Sequence, residues 1–314
     1  MNGASGGAYP RLGADTRPQN IVAGPGWGKR YLMCPPRHYG VLYEINPWMH
    51  REVVVDHERA RAQWDALVAT LRRAGAEVLL MEPHPDVPDL VFTANAGVVN
   101  GTQFVPSRFR YPERRPETPI NAAWFAAHGW RVDELSSGTY HEGAGDALPF
   151  TNEAGHTVLL SGYSFRSDAT AATALSTLLR CPVRPVQLVD PRLYHLDLTF
   201  CPLDHRRAIV APSGWDHYGR KVVEALVPEP LVLDEAESLS LCANSVLVGS
   251  TLVMPATPPR VGRILESWGF EVVECPVEEF LKAGGGCRCL TLALDVVVSP
   301  SGHSNSTPWA SGRT

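Results

Sequence analysis

Five short motifs of small and polar residues recur along the chain, and their spacing constrains the fold more than any other feature. They are Thr93-Ala94-Asn95-Ala96-Gly97, Glu142-Gly143-Ala144-Gly145-Asp146, His195-Leu196-Asp197-Leu198-Thr199, Cys242-Ala243-Asn244-Ser245, and the stretch from Ala283 through Gly284-Gly285-Gly286 to Cys289. The steps from Asn95 to Glu142, His195, Cys242 and Cys289 are 47, 53, 47 and 47 residues. A period near 50 points to repeated supersecondary units arranged about an axis. An ordinary α/β sheet with evenly spaced crossovers would show a similar period. The placement of the motifs favours the ring: each lies at the same point of its unit, so a ring brings all five to one centre.

Between motifs the pattern alternates helix and strand. Apolar periodicity predicts helices over Glu58–Ala74, Asn121–His128, Asp168–Leu179, Tyr218–Val227 and Pro258–Trp268, with Asp168 as an N-cap candidate. Short strands follow, at Glu77–Met81, Trp130–Val132, Cys181–Val183, Leu231–Leu233 and Phe270–Val273, and Tyr31–Cys34 is a further strand at the start of the chain. Gly75, Gly129 and Gly269 each stand between helix and strand, where a left-handed residue commonly ends a helix. Residues 1–27 and 301–314 read as flexible tails flanking one catalytic domain over 28–300.

Composition narrows the function. Of the 314 residues, 44% are hydrophobic and 19% charged, as in an ordinary globular enzyme, and a net charge of −5 without a basic stripe argues against nucleic-acid binding. The run from Arg108 to Arg115 is interrupted by Tyr111, Pro112 and Glu113 and reads as a solvated loop or a small-anion site. No apolar run approaches a membrane span, and the N-terminus has neither the basic nor the apolar region of a secretory signal. The seven scattered cysteines therefore read as reduced thiols of a cytoplasmic protein. Cys287-x-Cys289 is too tightly spaced for a usual zinc knuckle, so no metal is expected.

The centre of such a ring would hold a thiol (Cys289), an imidazole (His195), two carboxylates (Glu142 and Asp197) and two carboxamides (Asn95 and Asn244). A thiol is mostly protonated at neutral pH and needs an imidazole or a bound cation to activate it. Paired carboxylates suit a planar cation such as guanidinium, whose N–H groups match them bidentately. Its central carbon is open to a thiolate, with an imidazole protonating the departing nitrogen.

On these motifs the chain resembles the guanidino-group-modifying, or pentein, superfamily. Its members include dimethylarginine dimethylaminohydrolase, arginine deiminase, arginine dihydrolase and the amidinotransferases. The resemblance runs over roughly residues 30–298 and implies a five-bladed α/β-propeller of pseudo-fivefold ββαβ repeats around a central active site. It implies that Cys289 is the nucleophile, His195 the general acid/base, and Glu142 the carboxylate that binds guanidinium and steadies the imidazole. The stretch after Glu142 is one residue longer than the family's usual Glu-(Ala/Gly)-Gly-Asp. Asp197 resembles the second guanidinium-binding Asp of the deiminases, where dimethylarginine enzymes have Lys. Asp89 resembles a contact to the substrate α-amine, Arg114 and Arg166 resemble the arginines that hold its α-carboxylate, and Asn46 stands in a segment that would touch substrate.

One departure matters: the family's Phe-x-x-Asp is here Phe92-Thr93-Ala94-Asn95, a carboxamide in place of a charge. With Met33-Cys34-Pro35-Pro36 and Ile45-Asn46-Pro47-Trp48-Met49, this is closest to the arginine dihydrolases, which give ornithine and two ammonia molecules. The resemblance therefore implies a cofactor-free hydrolase acting through a Cys-thiouronium intermediate on arginine or an N-omega-substituted arginine. The products would be citrulline or ornithine, with ammonia or an alkylamine. An amidinotransferase using the same intermediate and a non-catalytic binding factor of the same fold are the alternatives. The expected partner is a small guanidino substrate, with neither nucleic acid nor membrane, and homo-oligomerisation stays open.

Overall fold

A computed structural model describes residues 25–136 and 138–298. The expected tails lie outside these residues except for 25–27, where the ring of Trp27 lies 5.2 Å from the Arg288 guanidinium carbon.

Among the described residues, fifteen strands form five separate three-stranded sheets of one design. In the first complete unit Gly97–Asn100 and Gln103–Pro106 pair as an antiparallel hairpin, and the chain then crosses through the helix Glu117–Ala127 to a parallel strand at Arg131–Val132. Ala147–Thr151, Thr157–Tyr163 and Val183–Gln187 repeat the arrangement across the helix Ala171–Leu179. Phe200–Pro202, Arg207–Val210 and Glu229–Val232 do so across His217–Leu226. Val246–Val248, Thr251–Met254 and Glu271–Glu274 do so across Pro259–Ser267.

The fifth sheet closes the ring. Leu292–Ala293, near the end of the described chain, runs antiparallel to Arg30–Met33 near its start, and Arg30–Met33 then pairs in parallel with Glu77–Leu80 across the helix His57–Arg73. This is the expected five-bladed ββαβ ring. Joining first and last strands in one sheet leaves no gap in it.

Local chemistry explains where the helices stop and start. Asp56 caps His57–Arg73 by accepting from the Arg59 amide, and the helix buries Ala60, Trp64, Leu67, Val68 and Leu71. Gly75, Gly129 and Gly269 all take the left-handed backbone that ends a helix, at φ +99°, +89° and +90°. Elsewhere the boundaries differ from expectation. Asp168 is not an N-cap: its carboxylate accepts from the Tyr140 amide at 2.8 Å and from Arg110 at 2.6 Å, so the helix begins only at Ala171. The helix expected from Asn121 starts at Glu117, behind Pro116, and the strand expected over 181–183 runs from Val183 to Gln187. Core side chains from neighbouring blades pack together, as where Leu148, Phe150 and Leu160 meet Phe200, Ala208 and Val210.

Candidate active site

Each blade delivers its polar motif on a turn that precedes its inner strand. Thr93–Ala96, Gly143–Gly145 and Leu196–Leu198 are single 3-10 turns leading into the strands at Gly97, Ala147 and Phe200. All nine residues expected at the site lie in this one region. A small cavity of about 10 Å³ is lined by Asn46, Asp89, Asn95, Arg114, Arg166 and Cys289, together with Phe92, Tyr194, Ala283 and Gly285. That is roughly room for one water. Glu142 joins it through Arg166, Asp197 through Cys289, and His195 through Glu142. A larger groove of about 410 Å³ lies elsewhere, beside Arg108, Arg115 and Tyr140, and none of the nine lines it.

Glycines make the convergence possible. A Cβ on Gly145 would stand 2.3 Å from Asn95 Nδ2 and 3.5 Å from His195 Nδ1, and one on Gly286 would stand 2.7 Å from Asn244 Oδ1. Neither position admits a side chain without displacing a polar group of the site.

On one side of the cavity Cys289 is held at both ends by Asn244. The Cys289 amide donates to Asn244 Oδ1 at 3.1 Å, and Asn244 Nδ2 donates to the sulfur at 3.2 Å and to the Asp197 carbonyl at 3.1 Å. The thiol itself donates to Asp197 Oδ2 at 3.5 Å. Burial, reinforced by the Asp197 charge, pushes the Cys289 thiol well above its ordinary value. Burial likewise raises Asp197 to about 7, although Arg288 opposes it. Cys287, by contrast, turns away and donates to the Cys275 carbonyl.

On the other side Glu142 anchors the imidazole. Its Oε2 receives Arg166 at 2.9 Å and lies 2.9 Å from His195 Nε2. Burial pulls Glu142 upward, but Arg166 and His195 together outweigh it and hold the carboxyl far below the usual carboxylate range. With Nε2 engaged, His195 Nδ1 has no hydrogen-bond partner among the described residues. The extra residue after Glu142 does not take the carboxylate out of register.

The remaining polar groups form a third cluster. Arg114 is buried, packs over Phe109 with its guanidinium carbon 4.6 Å from the ring centre, and holds both Glu117 oxygens at 2.7 and 2.9 Å. It also donates to Asn95 Oδ1 at 3.1 Å and lies 3.7 Å from Asp89. Asn95 Nδ2 donates to the Glu142 carbonyl at 3.0 Å, which fixes the amide's orientation between the two clusters. Asn46 donates to the Ala283 carbonyl at 3.1 Å, and Trp48 Nε1 donates to the Arg192 carbonyl at 2.8 Å, so the segment bearing them is clasped over the cavity.

Three buried carboxylate oxygens in this region have no hydrogen-bond partner among the described residues: Asp89 Oδ1, whose carboxyl has the Tyr43 hydroxyl nearby, Glu142 Oε1 and Asp197 Oδ1. Buried polar atoms are rarely left so, and each costs free energy until a donor reaches it. A ligand rich in N–H groups and carrying positive charge would satisfy them. Asn244, Glu117 and Tyr194 also shape the site. Asn244 stood in the fourth motif, and Glu117 lies three residues after Arg114, a local ion-pair spacing that Arg110 and Glu113 share and that does not by itself single Arg114 out. Among the described residues no cluster of His, Cys, Asp and Glu is arranged to hold a metal, and no helix is long and apolar enough to cross a membrane.

Comparison with known proteins gives a consistent picture. A sequence profile of the family described as "N,N dimethylarginine dimethylhydrolase, eukaryotic" matches residues 45–296. The chain is 40% identical over 279 residues to the bifunctional arginine dihydrolase/ornithine cyclodeaminase AgrE of Nostoc sp. strain PCC 7120, covering 88% of this chain and 39% of that one. It thus spans about two fifths of the length of this relative. It is 36% identical over 266 residues to the N(G),N(G)-dimethylarginine dimethylaminohydrolase of Mycobacterium tuberculosis, covering 85% and 86% of the two chains. Among solved structures, the substrate-bound N-terminal domain of ArgZ, a cyanobacterial arginine dihydrolase, here a cysteine-to-serine variant, superposes with a TM-score of 0.81 at 38% identity over 86% of this chain and 99% of that one. The dimethylarginine dimethylaminohydrolase of Pseudomonas aeruginosa shares the fold, at a TM-score of 0.71 and 21% identity over 85% and 99% of the two chains.

Proposed function

The chain belongs to the N,N-dimethylarginine dimethylaminohydrolase family of guanidino-modifying penteins, and from that premise we propose that it hydrolyses the guanidino group of free arginine through a thiouronium bound to Cys289. The observation that carries this reading is the set of three partnerless carboxylate oxygens around the thiol. Glu142 Oε1 and Asp197 Oδ1 take the guanidinium edge of the substrate, and Asp89 Oδ1 takes its α-ammonium. Asn46 helps to orient the amino-acid end. Arg114 and Arg166 present positive charge to the α-carboxylate, each while keeping its own carboxylate partner.

The bound cation also resolves the resting state of the thiol. Burial and Asp197 hold Cys289 protonated while the cavity lacks a cation. A guanidinium between Asp197 and Glu142 reverses the local field and favours the thiolate, so the nucleophile forms where the substrate is. The sulfur then attacks the guanidino carbon. The S–C bond forms, and the C–N bond breaks as His195, steadied through Nε2 by Glu142, delivers the proton it has taken from the thiol to the departing nitrogen. Water, losing a proton to His195, adds to the thiouronium carbon. The S–C bond breaks, releasing a ureido product and restoring the thiol.

The substrate choice turns on Asn95. Its carboxamide, pinned by Arg114 and the Glu142 carbonyl, adds no negative charge beside the leaving nitrogen. This suits a second round, in which the thiolate attacks the ureido carbon, the terminal C–N bond breaks to release ammonia, water displaces the thiolate from the resulting thiocarbamate, and the carbamic acid so formed loses carbon dioxide to leave ornithine. The dihydrolase activity in the names of AgrE and ArgZ supports this choice over dimethylarginine. Incubation with arginine and with asymmetric dimethylarginine separates them. Ornithine with ammonia from arginine is the expected result, and dimethylamine with citrulline as the faster reaction would overturn it.

A further inference from the structure

The carboxylate of Asp146 closes the second motif, and the chemistry proposed above gives it no task. It is fully buried, and both of its oxygens are spent on the flanks of the site. Oδ1 accepts the Leu196 amide at 3.0 Å, one residue beyond His195. Oδ2 accepts the Ser167 hydroxyl at 2.6 Å, one residue beyond Arg166. The Ser167 oxygen in turn accepts the Glu142 amide at 3.0 Å. The three segments gripped in this way carry Glu142, Arg166 and His195, the three side chains that meet at Glu142 Oε2.

We propose that Asp146 is a positioning residue for the proton-transfer half of the reaction, bracing the backbones of Glu142, Arg166 and His195 so that the imidazole keeps the orientation needed at the leaving nitrogen. This rests on the reading of the function given above. Three features argue for a built brace. The space for it is cut to size: a Cβ on Gly162 would stand 2.6 Å from Asp146 Oδ1 and 2.9 Å from Leu196 Cβ. The Gly162 amide donates to the Asp146 carbonyl at 2.9 Å, fixing the carboxylate's own backbone. The brace makes no hydrogen bond to the thiol, whose own bonds go to Asn244 and Asp197. A carboxylate supplies two acceptors for the two donors, which neither Asn nor Ser would do as well. Burial raises the Asp146 carboxyl to about 6, and the nearby His195 opposes that shift.

The separation of brace from nucleophile makes the proposal testable. Asp146→Asn keeps shape and loses the second acceptor, while Ser167→Ala removes only the link to the Glu142 amide. For each variant, kcat and KM on arginine are measured beside the rate at which chloroacetamidine alkylates Cys289 and the melting temperature. The expectation for Asp146→Asn is a fall in kcat of roughly 10- to 100-fold, up to the lower end of the roughly 10²- to 10⁴-fold that general acid–base catalysis contributes, because the imidazole is misplaced and not removed. The alkylation rate stays within about threefold of the parent, about 0.65 kcal/mol or less, and KM, which Glu142 and Arg166 also serve, rises by less than kcat falls. Ser167→Ala shows the same split at smaller size, and it decides the matter if Asp146→Asn does not fold. An unchanged kcat in folded variants, or a loss of alkylation and rise of KM in step with kcat, overturns the brace. Alkylation of Cys289 in the parent that leaves turnover intact would instead overturn the proposed function, so the two failures are distinguishable.

Discussion

Glu142 and Asp197 are both fully buried carboxylates beside the same cavity, yet they rest in opposite states. Glu142 is held ionised by Arg166 and His195, whereas Asp197, facing a neutral thiol with Arg288 as its opposing cation, is raised to about 7. Burial acts on both in the same direction, so the difference comes from what each oxygen touches. The pair divides the site into a half that stays charged, prepared for proton transfer, and a half whose carboxyl changes its charge near pH 7 and is drawn to the ionised form by a cationic substrate.

Removing the nucleophile gives the largest expected effect. Cys289→Ser should lower kcat on arginine by about a millionfold, in line with loss of a catalytic nucleophile, while arginine binding measured by calorimetry persists because the three open oxygens remain. In the charged half, Glu142→Gln should cost roughly 10²- to 10⁴-fold in kcat, read by steady-state kinetics, with alkylation of Cys289 far less affected. Arg166→Met tests what holds Glu142 ionised. It leaves a buried carboxylate without its cation and should cost about 3–5 kcal/mol of stability, read by denaturant unfolding. Glu142's depressed carboxyl contributes stability that is present above the ordinary carboxylate range and is lost on acidification, so that acid-side loss should shrink in the variant.

Asp197 should give a smaller effect of opposite sign. Its raised carboxyl favours the folded state as pH falls through about 7, and that contribution is lost as pH rises through 7. Capture of guanidinium needs the ionised form, so kcat/KM should rise over the same interval in which the melting temperature of the free protein falls. Asp197→Asn should flatten both curves. Parallel rather than opposed trends in the parent would break the contrast between the two carboxylates.

The contrast was only partly legible in the sequence. The period of the motifs and the three helix-ending glycines conveyed the ring and its centre, because both are local signals repeated. Ring closure was not legible, since the pairing of Arg30–Met33 with Leu292–Ala293 is a contact between chain ends that neither segment announces. Arg114 could not be told from Arg108, Arg110 and Arg115 by spacing; what distinguishes it is burial against Phe109 and Glu117. Asp168 carried a cap signal, but Arg110 and the Tyr140 amide, distant in sequence, took its oxygens. The residue types at Glu142 and Asp197 pointed to a guanidinium. Their opposite states depend on Arg166 and on the facing thiol, which only the fold brings there.

The central claim is that arginine becomes covalently attached to Cys289, and acid quenching during turnover followed by intact-mass and peptide mass spectrometry tests it most directly. The account predicts an adduct on the peptide containing Cys287 and Cys289, localised to Cys289. Its mass should equal that of substrate less the leaving amine, and it should appear and decay at rates compatible with kcat. Sustained turnover with no such adduct, together with a Cys289→Ser variant that keeps full activity, would contradict it.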